Sequence, residues 1–190
     1  VLSHASIMWN LKVDLPTFDK TTAQLRKTRQ ISSSQKRDRL PTFDELESLT
    51  KYFVRKWNHS SYSYPMHLIM WFAIFSCRRE AEITRMQLDD YDETNKLWKI
   101  RDLKNPNGSK GNHKEFSVND DCQQMIDLLL DGDIRHRMLK RGYDENLLVP
   151  LSPKTMGSEF RKACKLLGID DLHFHDLRHE GITRLAEDGL

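Results

Sequence analysis

The chain has 190 residues, of which 38% are hydrophobic and 31% are charged, and its formal net charge is +2. The length fits one full domain plus part of another, and the supply of apolar side chains excludes a chain that is disordered throughout. No stretch approaches the roughly 18 apolar residues of a membrane span, and the N-terminus lacks the pattern of a secretion signal. We therefore expect a cytoplasmic protein without a membrane partner.

The cysteines and the distribution of charge narrow the class further. Cys77, Cys122 and Cys164 are far apart and show no metal-ligand spacing, which argues against a disulfide framework or a thiolate zinc site. The first 40 residues carry 8 basic and 3 acidic side chains, whereas the remainder carries 22 basic and 25 acidic ones. The basic excess at the front indicates either a polyanionic partner or a solvated linker.

The first domain boundary follows from composition. Residues 1–9 are apolar-rich and lack a helix N-cap, whereas residues 21–40 are polar and basic with a serine triplet, which is typical of a linker. A new domain begins at Pro41, because Thr42 and Glu45 have the spacing of a capping box. The helix that follows is predicted to pack its apolar face on the core through Leu46, Leu49, Phe53 and Trp57.

The next elements are a buried helix and a hairpin. Pro65 suits the first turn of a helix over residues 66–75, which are apolar on every side and predict a central position. Residues 97–101 and 115–118 have strand character and flank a segment rich in Gly, Asn and Lys. This pattern predicts a β-hairpin with a long basic tip.

The C-terminal third is predicted to be helical. A helix over residues 122–130 is followed by a basic patch at residues 135–142. Ser152 and Pro153 then provide an N-cap and a first-turn proline for a helix that ends at Gly168. A last helix begins at Phe174.

Four side chains are candidates for binding a phosphate. Arg79 precedes Glu82 by three residues, so a helix would place the carboxylate beside the guanidinium, although such a pair is also common on surfaces. Lys104 lies in the hairpin loop and is a candidate proton donor or merely a solvated charge. His175 and Arg178 lie side by side at a helix start, which favours an anion, or else they are a capping histidine and an exposed arginine.

Metal binding is a competing interpretation of the last motif. His173, His175 and His179 form a His-x-His-x-x-x-His pattern, and the last two residues share one helical face. Further ligands would have to come from elsewhere, and a His-Glu-x-x-His motif is absent. Chelation therefore remains the alternative, corresponding to a histidine-ligated metallohydrolase.

Taken in chain order, Arg79-x-x-Glu82, a hairpin lysine and His175-x-x-Arg178 resemble the catalytic domain of the tyrosine recombinase (phage integrase) family. The resemblance covers residues 40–190, and residues 1–18 resemble the last helix of the family's core-binding domain. It implies a core-binding remnant at residues 1–20, an interdomain linker at 21–40 and a C-terminally truncated catalytic domain at 41–190. The sequence departs from the family at Cys77, where Gly is usual, and at Glu180, where Thr is common.

The resemblance implies a fold class and a reaction. The fold is α+β, mainly helical, the catalytic domain of a DNA breaking-rejoining enzyme with a small antiparallel sheet. The reaction is site-specific DNA recombination or integration through a 3′-phosphotyrosyl intermediate, with neither ATP nor a metal as cofactor. The catalytic residues that the resemblance implies are Arg79, Lys104, His175 and Arg178. Glu82 would support them by orienting the Arg79 guanidinium.

The family's nucleophilic tyrosine follows the His-x-x-Arg helix, and no tyrosine of this chain does. We therefore expect a fragment that binds DNA weakly and cleaves nothing. A DNA-binding module of the same fold without chemistry is the alternative, and a type IB topoisomerase fits less well because of the preceding helical remnant.

The implied partner is double-stranded DNA, contacted mainly at its backbone and with strong salt dependence. The family implies a tetramer on DNA for the full-length protein at the nucleoid, and we expect a monomer for the fragment. The candidate DNA-contacting side chains are Lys110, Lys114, Arg26, Lys27, Arg29, Lys36, Arg37 and Arg39. The basic patch at residues 135–141 is a weaker candidate and could equally be an exposed face.

Overall fold

A computed structural model describes residues 14–28, 37–59, 61–103, 110–140, 144–187 and 189. Its contacts divide the chain into two units, Val1–Arg37 and Asp38–Leu190. Among the described residues, no helix is long and apolar enough to cross a membrane.

The described part of the first unit contains helix α1, Leu15–Lys27. Asp14 begins it, because its carboxylate accepts hydrogen bonds from the backbone N–H and the hydroxyl of Thr17. The helix continues past residue 20, where the sequence placed the start of the linker, because this segment contains good helix formers such as Ala23, Gln24 and Leu25.

The second unit is mainly helical with a small antiparallel sheet, as predicted. Its helices are α2 Phe43–Trp57, α3 Met66–Ser76, α4 Glu80–Ile83, α5 Asp120–Leu130, α6 Gly132–Leu139, α7 Pro153–Leu167 and α8 Asp176–Glu187. Its strands are β1 Tyr91–Asp92, β2 Leu97–Ile100 and β3 Lys114–Ser117, in the order β1-β2-β3.

Helix α3 is the centre of this unit. Eight of its residues are buried, and it packs against α2, α5, α7 and α8. A helix that is apolar on every side gains most by burying its whole circumference, which confirms the sequence prediction. Helix α2 packs on α3 and starts with the predicted capping box, in which Thr42 Oγ1 accepts from Glu45 N and Glu45 Oε2 accepts from Thr42 N.

The sheet lies at one side of this helical core. Trp98 on β2 is fully buried, stacks on Tyr91 at 4.7 Å between ring centroids, and donates from Nε1 to the Gln87 carbonyl at 3.1 Å. In the pairing with β3, Trp98 is opposite Phe116. The two strands of the hairpin are confirmed to within one residue, whereas β1 was not predicted.

Two features correct or extend the sequence analysis. Arg135 and Arg137 do not form an exposed basic patch: Arg135 donates to the carbonyls of Glu145 and Leu148, and Arg137 donates to the carbonyls of Trp57, His59 and Tyr62. Both guanidiniums therefore connect α6 to the segments that carry these carbonyls. The three cysteines are free and buried.

Candidate active site

The turn between α3 and α4 presents the first arginine. Helix α3 ends where Cys77 adopts a left-handed conformation with φ of 51°, and the chain then passes through Arg79 in an extended conformation before α4. The Glu82 carboxylate, whose side chain is 3% exposed, accepts from Arg79 Nη1 at 2.7 Å and from Arg79 N at 3.2 Å. A buried carboxylate that holds both ends of one arginine fixes where its guanidinium points.

Helix α8 brings the second arginine to the same carboxylate. Arg178 Nη1 lies 3.8 Å from Glu82 Oε2 and also donates a hydrogen bond to the carbonyl oxygen of Cys77. The helices approach very closely here, because a Cβ atom on Gly181 would lie only 2.0 Å from the Ile74 carbonyl oxygen. Two arginines 99 positions apart in the sequence are thus brought together around one buried acid.

The electrostatics of this cluster favour an anion. Burial, and next the Arg79 guanidinium, lower the pKa of Arg178, while Glu82 acts in the opposite direction. One carboxylate shared by two guanidiniums leaves a net positive charge in a partly desolvated site, where charge–charge interactions are stronger than in water. A phosphate would supply the missing negative charge.

His175 completes the described part of the cluster. Its ring centroid lies 5.0 Å from that of His179 in an edge-to-face arrangement. Burial, then His179, Arg79 and Arg178, lower the pKa of His175, and Asp176 partly opposes them. The imidazole is therefore neutral at pH 7 and can exchange a proton with a neighbouring hydroxyl.

Arg78 is a neighbour of the cluster that the sequence analysis did not single out. Its Nε donates to the Ser76 carbonyl at 2.8 Å, and its guanidinium lies 4.8 Å from the centroid of the Phe116 ring on β3. It therefore joins the turn that carries Arg79 to the sheet. The sequence alone did not indicate that Arg78 would contact the sheet.

Lys104, the predicted proton donor, lies outside the described residues. The residues that flank its loop are joined: Leu103 N donates to the Asn112 carbonyl at 2.8 Å, and Asp102 Oδ1 accepts from Gly111 N at 2.8 Å. Arg85 donates to the Ala81 carbonyl at 2.6 Å and to the Asp102 carbonyl at 3.4 Å, which links this end of the hairpin to α4.

The predicted DNA-contacting residues fall into three groups. Lys27, Lys110 and Lys114 are exposed, and Arg37 is partly buried. Arg39 forms an ion pair with Glu45 and also donates to the carbonyls of Leu40 and Asp170, so its guanidinium stabilises the start of α2. The third group lies outside what the structure describes: Arg29, Lys36 and the side chain of Arg26.

A cavity of about 550 Å³ adjoins the cluster on the side of α7, and Glu80, Arg161, His173 and His175 are among its lining residues. Burial raises the pKa of Glu80, and the charge of Arg161 partly opposes this. The motifs did not predict this cavity. Within the described residues, the histidines do not join other side chains in a group of three or more that could hold a metal ion.

Structures of DNA recombinases have the same fold. XerA recombinase is 16% identical with a TM-score of 0.56, over 98% of this chain and 66% of that one. The Tn1549 transposon integrase, solved in complex with transposon right end DNA, is 14% identical with a TM-score of 0.62, over 86% of this chain and 58% of that one. The lambda integrase catalytic core is 19% identical with a TM-score of 0.57, over 81% of this chain and 85% of that one.

Sequence comparison agrees with the fold. The chain is 26% identical over 192 residues to the shufflon-specific DNA recombinase of Escherichia coli, covering 99% of this chain and 43% of that protein. It thus spans less than half of that relative's length. The model of the phage integrase family matches residues 40–190, the range over which the motifs resemble that family. The chain belongs to the phage integrase family.

Proposed function

We propose that this chain is the catalytic part of a tyrosine recombinase that cuts and rejoins DNA at specific sites through a 3′-phosphotyrosyl intermediate. The observation that supports it is the convergence of Arg79 and Arg178 on Glu82, beside His175. Two guanidiniums and an imidazole are suited to a phosphodiester, whose non-bridging oxygens gain charge as phosphorus becomes five-coordinate.

Each residue has a distinct part in the reaction. Arg79 and Arg178 bind the non-bridging oxygens and hold the phosphate in line for attack. His175 donates a hydrogen bond to the phosphate and assists the removal of the proton from the tyrosine hydroxyl. The tyrosine oxygen forms a bond to phosphorus, the bond from phosphorus to the 5′-oxygen breaks, and Lys104 gives that oxygen a proton.

Rejoining reverses these steps. The 5′-hydroxyl of a partner strand loses its proton and attacks the phosphotyrosine, and the tyrosine leaves with a proton restored. The number of phosphoester bonds is conserved, so the covalent intermediate retains the energy that ligation needs. We propose that none of the tyrosines in these 190 residues is the nucleophile. The hydroxyls of Tyr62 and Tyr91 are hydrogen-bonded to Glu159 and Gln123, respectively, and neither side chain is among those of the cluster.

The proposed partner is double-stranded DNA, and the proposed place of action is the nucleoid in the cytoplasm. Lambda integrase has been solved as a dimer bound to a core site and as a tetramer bound to a Holliday junction. We propose a similar tetramer for the full-length protein on DNA and a monomer for these 190 residues. The exposed Lys110 and Lys114 are available for contacts to the phosphate backbone.

Trapping of the covalent intermediate tests this function. The full-length gene product is incubated with its DNA site nicked next to the scissile phosphate, so that the short cut strand diffuses away. A covalent protein–DNA band is expected, and Arg178→Ala should reduce its rate of formation by about a hundredfold or more. Arg55→Ala, which removes an exposed arginine of α2, is the control and should react at the normal rate.

The same experiment distinguishes a recombinase from a protein of the same fold that only binds DNA. A protein that binds the site in a salt-dependent manner but never gives the covalent band is a DNA-binding module without chemistry. The 190-residue chain alone is expected to bind DNA weakly and to give no adduct, because we assign the nucleophile to none of its tyrosines. An adduct formed by this chain alone would overturn the assignment of the nucleophile.

A further inference from the structure

Among the described glycines of the second unit, Gly181 is the one most closely approached by another part of the chain. It lies one helical turn beyond Arg178. A Cβ atom on Gly181 would lie 2.0 Å from the Ile74 carbonyl oxygen and 2.8 Å from Sγ of Cys77. By contrast, a Cβ on Gly132 would meet nothing within 4 Å. Glycine within a helix costs about 1 kcal/mol relative to alanine, and here the close approach of α8 to the end of α3 requires it.

The other side of this contact is the turn at Cys77. Its φ of 51° is in the left-handed region, where a side chain other than glycine is disfavoured. In this conformation the Cys77 carbonyl accepts a hydrogen bond from Arg178 Nη1, and the thiol points towards Gly181. Cys77 therefore contacts α8 at two points, through its carbonyl and through its sulfur.

The distance between the two helices sets the spacing of the two guanidiniums. Arg178 belongs to α8, whereas Arg79 and Glu82 follow directly from the end of α3. The contact from Arg178 to Glu82 Oε2, 3.8 Å, is already longer than the contact from Arg79 to Glu82 Oε1, 2.7 Å. A displacement of α8 away from α3 would therefore move Arg178 out of the cluster and leave Arg79 in place.

We propose that Gly181 is a positioning residue for the recombination reaction, which holds Arg178 at its working distance from Arg79 by allowing α8 to touch the Ile74 carbonyl and Cys77. This inference rests on the proposed function. Real Cβ contacts shorter than 3.0 Å essentially do not occur, so an alanine at this position must move the helix or the carbonyl by about 1 Å. A misplacement of that size can reduce the rate of a reaction about a hundredfold.

The test compares two substrates of the full-length protein. One is the normal nicked DNA, and the other has a neutral methylphosphonate at the scissile position, which lacks the charge of one non-bridging oxygen and so has less need of a second guanidinium. On normal DNA, Gly181→Ala should form the covalent adduct about a hundredfold more slowly, with DNA affinity nearly unchanged. On methylphosphonate DNA, the difference in rate between Gly181→Ala and the unaltered protein should be at least tenfold smaller. Arg178→Ala should show the same reduction. Gly132→Ala is the matched control and should behave normally on both substrates.

The outcomes are distinguishable. An equal defect on both substrates would mean general damage to packing and would overturn the inference, as would a normal rate on normal DNA. If Gly181→Ala does not fold, Cys77→Val addresses the same contact, since a β-branched side chain is disfavoured at φ of 51° and crowds Gly181. It should show the same dependence on substrate.

A structural measurement separates this inference from the proposed function. In a crystal structure of the 190-residue chain with Gly181→Ala, the Arg178 guanidinium should be displaced from the Cys77 carbonyl, while Arg79 stays on Glu82. An unmoved Arg178 would overturn the inference without affecting the proposed function. Absence of adduct with the unaltered full-length protein would overturn the proposed function itself.

Discussion

Arg79 and Arg178 share the two oxygens of one buried carboxylate: Arg79 Nη1 is 2.7 Å from Oε1 of Glu82, and Arg178 Nη1 is 3.8 Å from Oε2. The two guanidiniums repel each other, and Glu82 offsets part of that repulsion. It leaves one positive charge uncompensated, which is what a phosphate can bind. The acid is therefore both a structural element and a determinant of how strongly the site attracts an anion.

Replacement of Glu82 by glutamine tests this relationship. Glu82→Gln keeps the shape but removes the charge, so we expect the free energy of unfolding to fall by about 1–3 kcal/mol and adduct formation by the full-length protein to slow at least tenfold. Urea denaturation and adduct trapping measure the two effects. Glu47→Gln removes an exposed acid paired with Lys51 and should change the free energy of unfolding by less than about 1 kcal/mol. Equal effects of the two variants would contradict the role given to Glu82.

Local features of the fold could be predicted from the sequence, and features that depend on distant residues could not. The capping box of Thr42 and the uniform hydrophobicity of α3 depend only on residues that are close together in the sequence, and both are observed. Strand β1 has only two residues, which is too short to show alternation. The carbonyls that bind Arg137 are 75 to 80 positions away, so its basic character alone indicated a surface patch.

The site shows the same division. The order of Arg79, Glu82, His175 and Arg178 identified the cluster because the family resemblance carries information about distant contacts. In the sequence analysis, Cys77 was only a departure from the family pattern, and Gly181 was not singled out. A glycine inside a helical pattern is a recognised sign of close packing, but which helix it approaches is decided by tertiary structure.

The pH dependence of cleavage should report the environment of His175. Burial, His179, Arg79 and Arg178 lower its pKa, so the imidazole takes up a proton at a lower pH than an ordinary histidine does. If it accepts the tyrosine proton, the rate of adduct formation should decline in acid, and the decline should be centred below the ordinary histidine value of 6.5.

His179→Gln provides the matching test, because it removes the second of these causes while leaving burial and the arginines in place. The acidic decline should then move upwards, towards pH 6.5. A decline centred above pH 6.5 in the unaltered protein, or no movement in the variant, would show that another group controls the profile. Rates measured by trapping across the pH range decide between these results.

Glu159 should stabilise the contact between α2 and α7 in a pH-dependent manner. Burial would raise the pKa of this carboxyl, but hydrogen bonds from Lys56, Lys162 and Tyr62 lower it to about 2. Because the folded value is below the unfolded value of 4.5, the stabilisation is complete above pH 4.5 and is lost as the pH falls towards 2.

Glu159→Gln should therefore lower the free energy of unfolding at pH 7 by about 1–3 kcal/mol, and the difference from the unaltered protein should narrow between pH 4.5 and 2. Urea denaturation at several pH values measures it. Glu115→Gln, at an exposed position of β3, should show no such narrowing. A constant difference at all pH values would mean that shape, and not charge, is what Glu159 contributes.

His67 lies on the central helix α3 and should make the protein sensitive to mild acid. Its Nδ1 is buried and has no hydrogen-bond partner among the described residues, its ring centroid is 6.0 Å from that of Trp57, and burial lowers its pKa to about 4. The unfolded chain therefore takes up a proton on this residue first. Stability from this source is complete above pH 6.5 and declines as the pH falls from 6.5 to 4.

His67→Phe should reduce this decline, since phenylalanine fills a similar volume and cannot be protonated. The free energy of unfolding should therefore differ less between pH 7 and pH 5 in the variant than in the unaltered protein, with His175 contributing the part of the slope that remains. His59→Phe changes an exposed histidine and should leave the slope as it is. The same slope in both variants would mean that the folded protein already accommodates the proton on His67, and that its buried nitrogen reaches water through local motion of α3.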